Sequence, residues 1–216
     1  MAASAEAAWF GTLRQRMIDH DLRARGIADE RVLQAMLRLP RQDFVPAAYR
    51  AQSYEDHPLP IGEGQTISQP YIVAIMLEAL ALQPTDTVLE VGTGSGYVTA
   101  LLAELTARVV SVERFPVLAA SSRQVLSGLG YKNVNVVVGD GSLGFPASAP
   151  YDAILVSAAI ATVPPALPSQ LRPEGGRMII PVGPADSQQL QLIRMVAGRA
   201  VLTTCGACRF VPLISG

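Results

Sequence analysis

The alternation of short apolar runs with helical segments after residue 86 restricts the fold more than any other feature of the sequence. Apolar runs bounded by turn residues predict strands, and the periodic segments between them predict helices. Strands that alternate with helices form a parallel sheet that is covered on both faces and linked by right-handed crossovers. We therefore predict an α/β fold with a doubly wound, mostly parallel sheet. The predicted strands are 87–91, 108–112, 134–138, 153–156 and 177–181, the predicted helices are 98–105 and 116–129, and a hairpin of residues 189–196 and 200–212 closes the sheet.

The residues before this alternation predict helices and one long loop. Apolar side chains recur at helical spacing over residues 9–22, and Gly26 ends that run. Asp29 is expected to cap a second helix, and a third helix is expected to begin near Pro70, because proline suits the first helical turn. Residues 51–67 are rich in proline and glycine and are expected to form a loop.

The length and the apolar content fit one globular domain. Half of the 216 residues are hydrophobic, which is enough to form a core. We expect a single domain over residues 1–216. In this domain, residues 1–85 form a helical lead-in and a substrate loop, and residues 86–216 form a cofactor-binding sheet.

Charge and cysteine content exclude several classes of partner. With 17 basic and 18 acidic residues, the net charge of −1 offers no electrostatic footprint for nucleic acid. No apolar run reaches the roughly 18 residues of a membrane span, and the N-terminus lacks the basic and apolar segments of a signal peptide. Two cysteines form no disulfide framework. We therefore expect a cytoplasmic protein without nucleic-acid or membrane partners, and we expect a monomer.

An acidic residue and three glycines mark the end of the first predicted strand, at the edge of the sheet where such folds bind ligands. Glu90 is followed by glycines at positions 92, 94 and 96, which allow a tight turn and a close approach of a ligand to the backbone. A dinucleotide fingerprint requires its third glycine at the position of Tyr97, and the chain contains no P-loop motif. A nicotinamide oxidoreductase and a phosphate-cradling P-loop are therefore excluded.

Two further acidic residues follow the next two strands. Glu113 is placed to accept hydrogen bonds from both hydroxyls of a ribose, and Asp140, between two glycines, from an adenine amino group. Each acid alone is an ordinary turn residue. Together they favour a cationic sulfonium ligand with an amino group over a pyrophosphate. The acid followed by G-x-G-x-G resembles the first motif of the S-adenosylmethionine-dependent methyltransferases, which implies the class I, Rossmann-like fold of that group.

A second motif lies before the sheet, in residues 54–74. Its centre reads Gly-Gln-Thr-Ile-Ser-Gln-Pro from Gly64 to Pro70. Further matching segments are 31–33, 44–46, 151–154, 171–177, 180–183 and 209–213. Over residues 15–214 the chain resembles the protein-L-isoaspartate O-methyltransferases. The resemblance implies transfer of a methyl group from S-adenosyl-L-methionine to the free α-carboxylate of isoaspartyl residues in damaged proteins. This transfer leaves S-adenosyl-L-homocysteine and an ester that recloses to a succinimide, which starts repair.

The resemblance also implies a set of site residues. Ser68 takes the position of the family's active-site serine. The residues expected to bind the cofactor are Gln65, Thr66, Ile67, Ser68, Glu90, Gly92, Gly94, Ser95, Gly96, Glu113, Arg114, Asp140 and Gly141. The residues expected to bind the substrate are Thr66, Ser68, Phe210 and Val211, and no metal is expected. Isoaspartyl proteins and peptides are the expected partners.

The reaction places few chemical demands on the protein. The nucleophile is already a carboxylate, so no general base is needed, and positioning and exclusion of water should carry most of the rate. Thr66 and Ser68 supply hydroxyl donors just before a helix N-terminus. We assign Ser68 the role of orienting donor, and the alternative role is that of a plain helix cap. His57 is expected to be structural.

Two other functions stay open, and three residues depart from the family pattern. The alternatives are a related carboxyl methyltransferase for one dedicated peptide or a small acid, and a protein that binds S-adenosylmethionine or damaged peptides without turnover. Cys205 and Cys208 form a C-x-x-C inside a predicted strand. We expect these cysteines to act as small apolar residues and not as a redox pair or a zinc site. Ser142 stands where an aromatic residue is frequent in the family, and we expect it to loosen the wall of the adenine pocket.

Overall fold

The chain forms nine strands and five α-helices within residues 2–215, which the computed structural model describes, with side chains from residue 5 onward. In chain order the helices are α1 (Ala2–Arg16), α2 (Glu30–Arg38), α3 (Pro70–Leu80), α4 (Tyr97–Leu105) and α5 (Pro116–Gly128). The strands are β1 (Leu59–Gly62), β2 (Gln65–Ile67), β3 (Thr87–Val91), β4 (Arg108–Glu113), β5 (Val134–Val138), β6 (Ala153–Val156), β7 (Arg177–Val182), β8 (Gln188–Val196) and β9 (Arg199–Cys208).

Seven of these strands form the central sheet in the order β5-β4-β3-β6-β7-β8-β9. The strands from β5 to β7 pair in parallel, and β8 and β9 add an antiparallel hairpin. The chain runs from β3 to β4 and β5 on one side and then returns to β6 on the other side of β3. The predicted fold class is confirmed, and its topological switch point lies at the carboxyl ends of β3 and β6.

The N-terminal helices follow the predicted pattern with one exception. α1 continues as a π-helix over Met17–Leu22 and a 3₁₀ turn over Arg23–Arg25, and Gly26 ends the run with a φ of 97°. The side chain of Asp29 accepts hydrogen bonds from two backbone N–H groups in the first turn of α2, which confirms the predicted cap. Trp9 is 47% exposed, so it does not join the buried stripe that the spacing indicated.

The predicted loop over residues 51–67 is in part a β-hairpin, so that prediction was wrong. β1 and β2 pair antiparallel, with Leu59 opposite Ile67, and both of these side chains are buried. Glu63 sits in the turn with a φ of 52°. The two strands have four and three residues, which is too short for a period of two to be visible in the sequence.

The two faces of the sheet are covered in different ways. One face packs against the helices, in a cluster that extends from Phe10 of the lead-in to Leu192 of β8. This shared core supports our proposal of a single domain. The other face packs against the segments that lead into β6 and β7, through Tyr151, Leu167 and Leu171. Within residues 2–215, the helical elements of these segments are 3₁₀ turns and none is an α-helix, because prolines interrupt the crossover.

Candidate functional site

The glycine loop lies at the switch point, between β3 and α4. Gly92 and Gly94 have φ values of 92° and 52°, in the region that favours glycine. A Cβ at Gly94 would lie 3.2 Å from Cδ1 of Ile61 in β1. The β1–β2 hairpin therefore packs directly against the glycine loop, and a Cβ at position 94 would require Ile61 to shift by a few tenths of an ångström.

Glu113, at the end of β4, holds this loop from the neighbouring strand. Its Oε2 accepts a hydrogen bond of 2.7 Å from the backbone N–H of Gly94, and its Oε1 accepts one of 2.9 Å from the N–H of Phe115. The residue is 4% exposed and lines a cavity beside the loop. Each carboxylate oxygen retains a free lone pair, so this geometry supports the predicted contact with ribose hydroxyls.

Glu90 lies under the loop and is not among the residues that line the cavity, so its direct contact with the cofactor stays a prediction. Its side chain is fully buried, because it projects from within β3 into the face that the helices cover. Oε2 accepts hydrogen bonds of 2.5 Å from the hydroxyls of Thr99 and Ser111, and the Ser111 hydroxyl also bonds that of Thr93 in the loop. Burial raises the pKa of Glu90 to about 8, although the two hydroxyl bonds oppose this change.

Asp140 and Gly96 are also outside the cavity wall. Oδ1 of Asp140 accepts hydrogen bonds of 2.9 Å and 2.7 Å from the backbone N–H and the hydroxyl of Ser142. Ser142 therefore bonds to the acidic side chain that precedes it. Gly96 is the N-cap residue of α4, and a Cβ there would lie 3.2 Å from the side chain of Ser122 in α5. The Cα of Gly96 therefore faces that helix, and the cofactor contacts expected of Gly96 and Asp140 stay predictions.

Two adjoining cavities open at this edge of the sheet. Counting the space that is open to solvent, the first cavity spans about 740 Å³ and the second about 1010 Å³. The predicted cofactor residues that line the first cavity are Gln65, Thr66, Ile67, Ser68, Gly92, Gly94, Ser95, Glu113, Arg114 and Gly141. The second cavity has an apolar wall that includes Pro58, Ile72 and Phe210. The shared wall, defined by the residues that line both cavities, consists of Thr66, Ser68, Ser157 and Val211.

Ser68 is not a helix cap, so the alternative reading of this residue was wrong. Gln69 occupies the N-cap position of α3, and no side-chain cap bond forms there. Instead, Oδ1 of Asp56 accepts a hydrogen bond of 3.0 Å from the N–H of Tyr71 in the first turn. In the described part of the chain, the hydroxyls of Ser68 and Thr66 make no hydrogen bond. Both hydroxyls are available to a ligand.

The sequence prediction missed Ser157. This residue directly follows β6, and its backbone N–H donates a 2.8 Å hydrogen bond to the carbonyl of Val91. Its hydroxyl has no hydrogen-bond partner among residues 2–215. Its position after a strand next to the switch point is the signal that identifies it. The C-terminal lining residues Pro212, Leu213 and Ile214 carry no such signal.

The remaining polar candidates have structural surroundings. The ring nitrogens of His57 lie 2.8 Å from Oε2 of Glu55 and 3.0 Å from the carbonyl oxygen of Pro58. Cys205 and Cys208 are half-buried and free, Cys208 lines the second cavity, and burial raises the pKa of its thiol to about 11. The described residues contain no group of three or more side chains suited to a metal ion. Nor does any helix in residues 2–215 have the length and apolar character to cross a membrane.

Fold and site together define the class of protein. The strand order, the glycine loop at the switch point and the acid after the next strand are those of a class I S-adenosylmethionine-dependent methyltransferase. The particular family follows from comparison with known proteins. Residues 13–216 match the profile of the family described as protein-L-isoaspartate(D-aspartate) O-methyltransferase (PCMT), and the chain belongs to this family.

Relatives with this function are similar over nearly their full length. The protein-L-isoaspartate O-methyltransferase of Koribacter versatilis is 56% identical over 214 residues, which cover 99% of this chain and 96% of that one. The enzyme of the same name from Methanoculleus marisnigri is 54% identical, covering 93% of this chain and 91% of that one. The activity and the cofactor that the sequence predicted are therefore confirmed at the level of the family.

Solved structures give the same result. A protein-L-isoaspartate O-methyltransferase structure superposes with a TM-score of 0.83 at 31% identity, covering 92% of this chain, which spans 65% of the length of that structure. A structure described under the same enzyme name from Plasmodium falciparum, in complex with S-adenosyl-L-homocysteine, has a TM-score of 0.81 at 25% identity. The superposition covers 94% of this chain and 99% of the Plasmodium falciparum chain.

Proposed function

We propose that this chain transfers a methyl group from S-adenosylmethionine to the free α-carboxylate of isoaspartyl residues. The transfer takes place where its two cavities adjoin, beside the shared wall. The observation that carries this proposal is the position of three hydroxyl residues, Thr66, Ser68 and Ser157, which line both cavities. The cofactor would occupy the first cavity and the isoaspartyl peptide the second. Hydroxyl donors then lie beside the point where the two reactants meet, and they orient the carboxylate for direct attack on the methyl group.

The residues around the first cavity fit the cofactor. When bound, S-adenosylmethionine supplies an electrophilic methyl group on a sulfonium sulfur. Gly92 and Gly94 line the first cavity without side chains, and the Glu113 carboxylate accepts hydrogen bonds from the ribose hydroxyls. Glu90 supports the loop from beneath through the hydroxyls of Ser111 and Thr93. These contacts fix the loop before any ligand arrives, which lowers the cost of binding.

The residues around the second cavity suit a polypeptide that carries a carboxylate. Apolar side chains, among them Ile72 and Phe210, provide contact surface, and Arg209 adds a positive charge. Thr66 and Ser68 donate hydrogen bonds to the carboxylate of the substrate. Bonds to a charged group contribute more than bonds between neutral groups. The second cavity is therefore chemically suited to the acceptor.

The shared wall contains hydroxyls and no titratable base, which agrees with the chemistry of the reaction. The carboxylate nucleophile needs no deprotonation, so the protein contributes by alignment and by exclusion of water. Ser68 orients the acceptor and does not form a covalent bond to it. No acid–histidine pair adjoins Ser68, since His57 bonds to Glu55 and to the Pro58 carbonyl and lines neither cavity.

The test is methyl transfer from labelled S-adenosylmethionine to a pair of peptides that differ only in an isoaspartyl or an aspartyl linkage. The isoaspartyl peptide should be labelled and the aspartyl peptide should not, because the carboxylate of the normal residue is displaced by one methylene. Equal labelling of both peptides would favour a carboxyl methyltransferase of other specificity. No labelling of either, with S-adenosylhomocysteine still bound, would favour a binding protein without turnover.

We also propose that the protein is a cytoplasmic monomer. Its two free cysteines suit a reducing compartment, and its net charge of −1 gives no attraction to anionic surfaces. Light scattering of the purified protein tests the monomer, and a dimer mass would contradict it.

A further inference from the structure

Arg41 is a buried cation that joins the lead-in to the shared wall. It begins a 3₁₀ turn, Arg41–Phe44, and its side chain is 0% exposed. Nε donates a 2.7 Å hydrogen bond to the carbonyl of Ser53, and Nη2 donates one of 2.7 Å to the carbonyl of Ser68. Arg41 therefore holds the backbone of Ser68 and leaves the Ser68 hydroxyl free.

The same guanidinium packs on the start of α4. Its central carbon lies 4.7 Å from the centroid of the Tyr97 ring, and Tyr97 lines the first cavity directly after the glycine loop. Arg41 thus contacts one residue on the substrate side and one on the cofactor side of the site. A planar group with donors on two edges and a flat face suits this bridging position.

This placement costs free energy that a purely structural residue would avoid. Within residues 2–215, Arg41 forms no salt bridge with a carboxylate, and its Nη1 has no hydrogen-bond partner. Two carbonyls and the aromatic face of Tyr97 compensate the charge directly, and Asp56 attracts it without forming a salt bridge. Apolar residues of similar volume often replace buried ionic groups without loss of stability. Retention of a cation here therefore points to a role in the geometry of the site.

We infer that Arg41 is a positioning residue that fixes the Ser68 segment relative to the glycine loop and α4. It acts on the reaction through Ser68, so the inference rests on the role proposed for that residue. The guanidinium fork holds the Ser53 and Ser68 carbonyls at once. A lysine at position 41 keeps the charge but offers a single ammonium group, which cannot reproduce both bonds in this geometry.

The experiment is a double-mutant cycle. Turnover (kcat) and KM on one isoaspartyl peptide are measured for wild type, Arg41→Lys, Ser68→Ala and the double variant, and calorimetry gives the Kd of S-adenosylhomocysteine for each. Arg41→Lys should lower kcat by about ten- to a hundred-fold, since small displacements of a positioning group have effects of that size. Its Kd should stay within about three-fold of wild type, because the glycine loop and Glu113 are untouched. The factor by which Arg41→Lys lowers kcat should be smaller in the Ser68→Ala background, because the effects of substitutions at two groups that act together are not additive.

Arg14→Lys is the matched control. Arg14 also lies over a tyrosine ring, at 5.5 Å from the centroid of Tyr54, and donates to the carbonyls of Leu37 and Arg38. Arg14 lines neither cavity, so the kcat of the Arg14→Lys variant should match that of wild type. If Arg41→Lys does not fold, Arg41→Gln is measured in the same way.

Several results would overturn the inference. They are a kcat of Arg41→Lys within about two-fold of wild type, an equal loss in both Ser68 backgrounds, and a loss of S-adenosylhomocysteine affinity as large as the loss of kcat. The last result would show a merely structural role. Inactive wild-type enzyme would instead overturn the proposed function, and it is recognised before any variant is measured.

Discussion

The polar side chains on the proposed cofactor side and on the proposed substrate side of the site differ in their hydrogen bonding. On the cofactor side, Glu113 already bonds two backbone N–H groups, and Glu90 bonds two hydroxyls. On the substrate side, the hydroxyls of Thr66, Ser68 and Ser157 make no hydrogen bond within residues 2–215. The acids of the first side already have protein partners, whereas the hydroxyls of the second side keep their donors free.

The difference matches what each side must recognise. A cofactor is always the same molecule, so a rigid site with bonded acids lowers the entropy cost of binding. Damaged proteins share only the isoaspartyl linkage, so the substrate side needs donors for one carboxylate and tolerant apolar surface around it. The secondary-structure elements that carry the two sides of the site also differ. The cofactor side lies on strands of the central sheet, whereas Thr66 and Ser68 lie in or beside a hairpin of short strands that Arg41 holds from behind.

The largest effect should come from breaking the cofactor side at Glu113. Glu113→Ala removes the acceptor for ribose and releases the Gly94 N–H, and bonds to a charged group contribute roughly 1.5–3 kcal/mol. The affinity for S-adenosylhomocysteine should fall about ten- to a hundred-fold. Glu78→Ala is the matched control, because Glu78 also accepts hydrogen bonds from two backbone N–H groups, those of Ala28 and Asp29, but lines neither cavity. Calorimetric affinities that are equal in the two variants would contradict the ribose assignment.

A smaller effect is expected on the substrate side at Ser68. Ser68→Ala removes one orienting bond to a carboxylate, so kcat should fall about ten-fold, while Thr66 retains residual activity. The fold should be intact, because Asp56 and not Ser68 caps α3. Ser121→Ala, at an exposed position on α5, is the control and should behave as wild type. Steady-state rates and melting temperatures check both statements, and full activity of Ser68→Ala would show that the shared wall orients the acceptor without this hydroxyl.

The smallest effect concerns stability on the cofactor side and uses the raised pKa of Glu90. The folded protein keeps this carboxyl protonated up to about pH 8, whereas the unfolded chain releases the proton near pH 4.5. Between these values the folded state binds more protons, so the contribution of Glu90 to the free energy of unfolding decreases as pH rises. The Glu90→Gln variant carries a neutral side chain in place of the protonated carboxyl. Its free energy of unfolding should therefore decrease less than that of wild type between pH 4.5 and about 8.

Denaturant unfolding at several pH values measures the Glu90 effect. Glu63→Gln, at an exposed position in the β1–β2 turn, is the control and should follow the wild-type slope. Parallel slopes for wild type and Glu90→Gln would contradict a protonated Glu90.

The fold was predictable from the sequence wherever a pattern repeats over one element. The strands β3 to β7 and the helices α2 and α3 agree closely with their predicted positions, because apolar runs and caps are local signals. The β1–β2 hairpin was not predictable, because seven strand residues among prolines and glycines show no period. The 3₁₀ turns on the second face of the sheet depend on how prolines divide a long crossover.

The sequence by itself determined the chemistry of this protein, and the tertiary structure decided which residues line the two cavities. A glycine loop, the acid Glu113 and the Gly64–Pro70 motif are local features, and they indicated a carboxyl methyltransferase without reference to any contact. Glu90 and Asp140 share the same pattern of an acid at a strand end, yet neither is among the residues that line the cavity. Ser157 and Arg41 reach the site from elements far apart in the chain. Alternation tells which face of a strand is buried, but only packing between distant elements brings a given atom to a cavity, because that depends on crossovers and turns whose geometry no local pattern records.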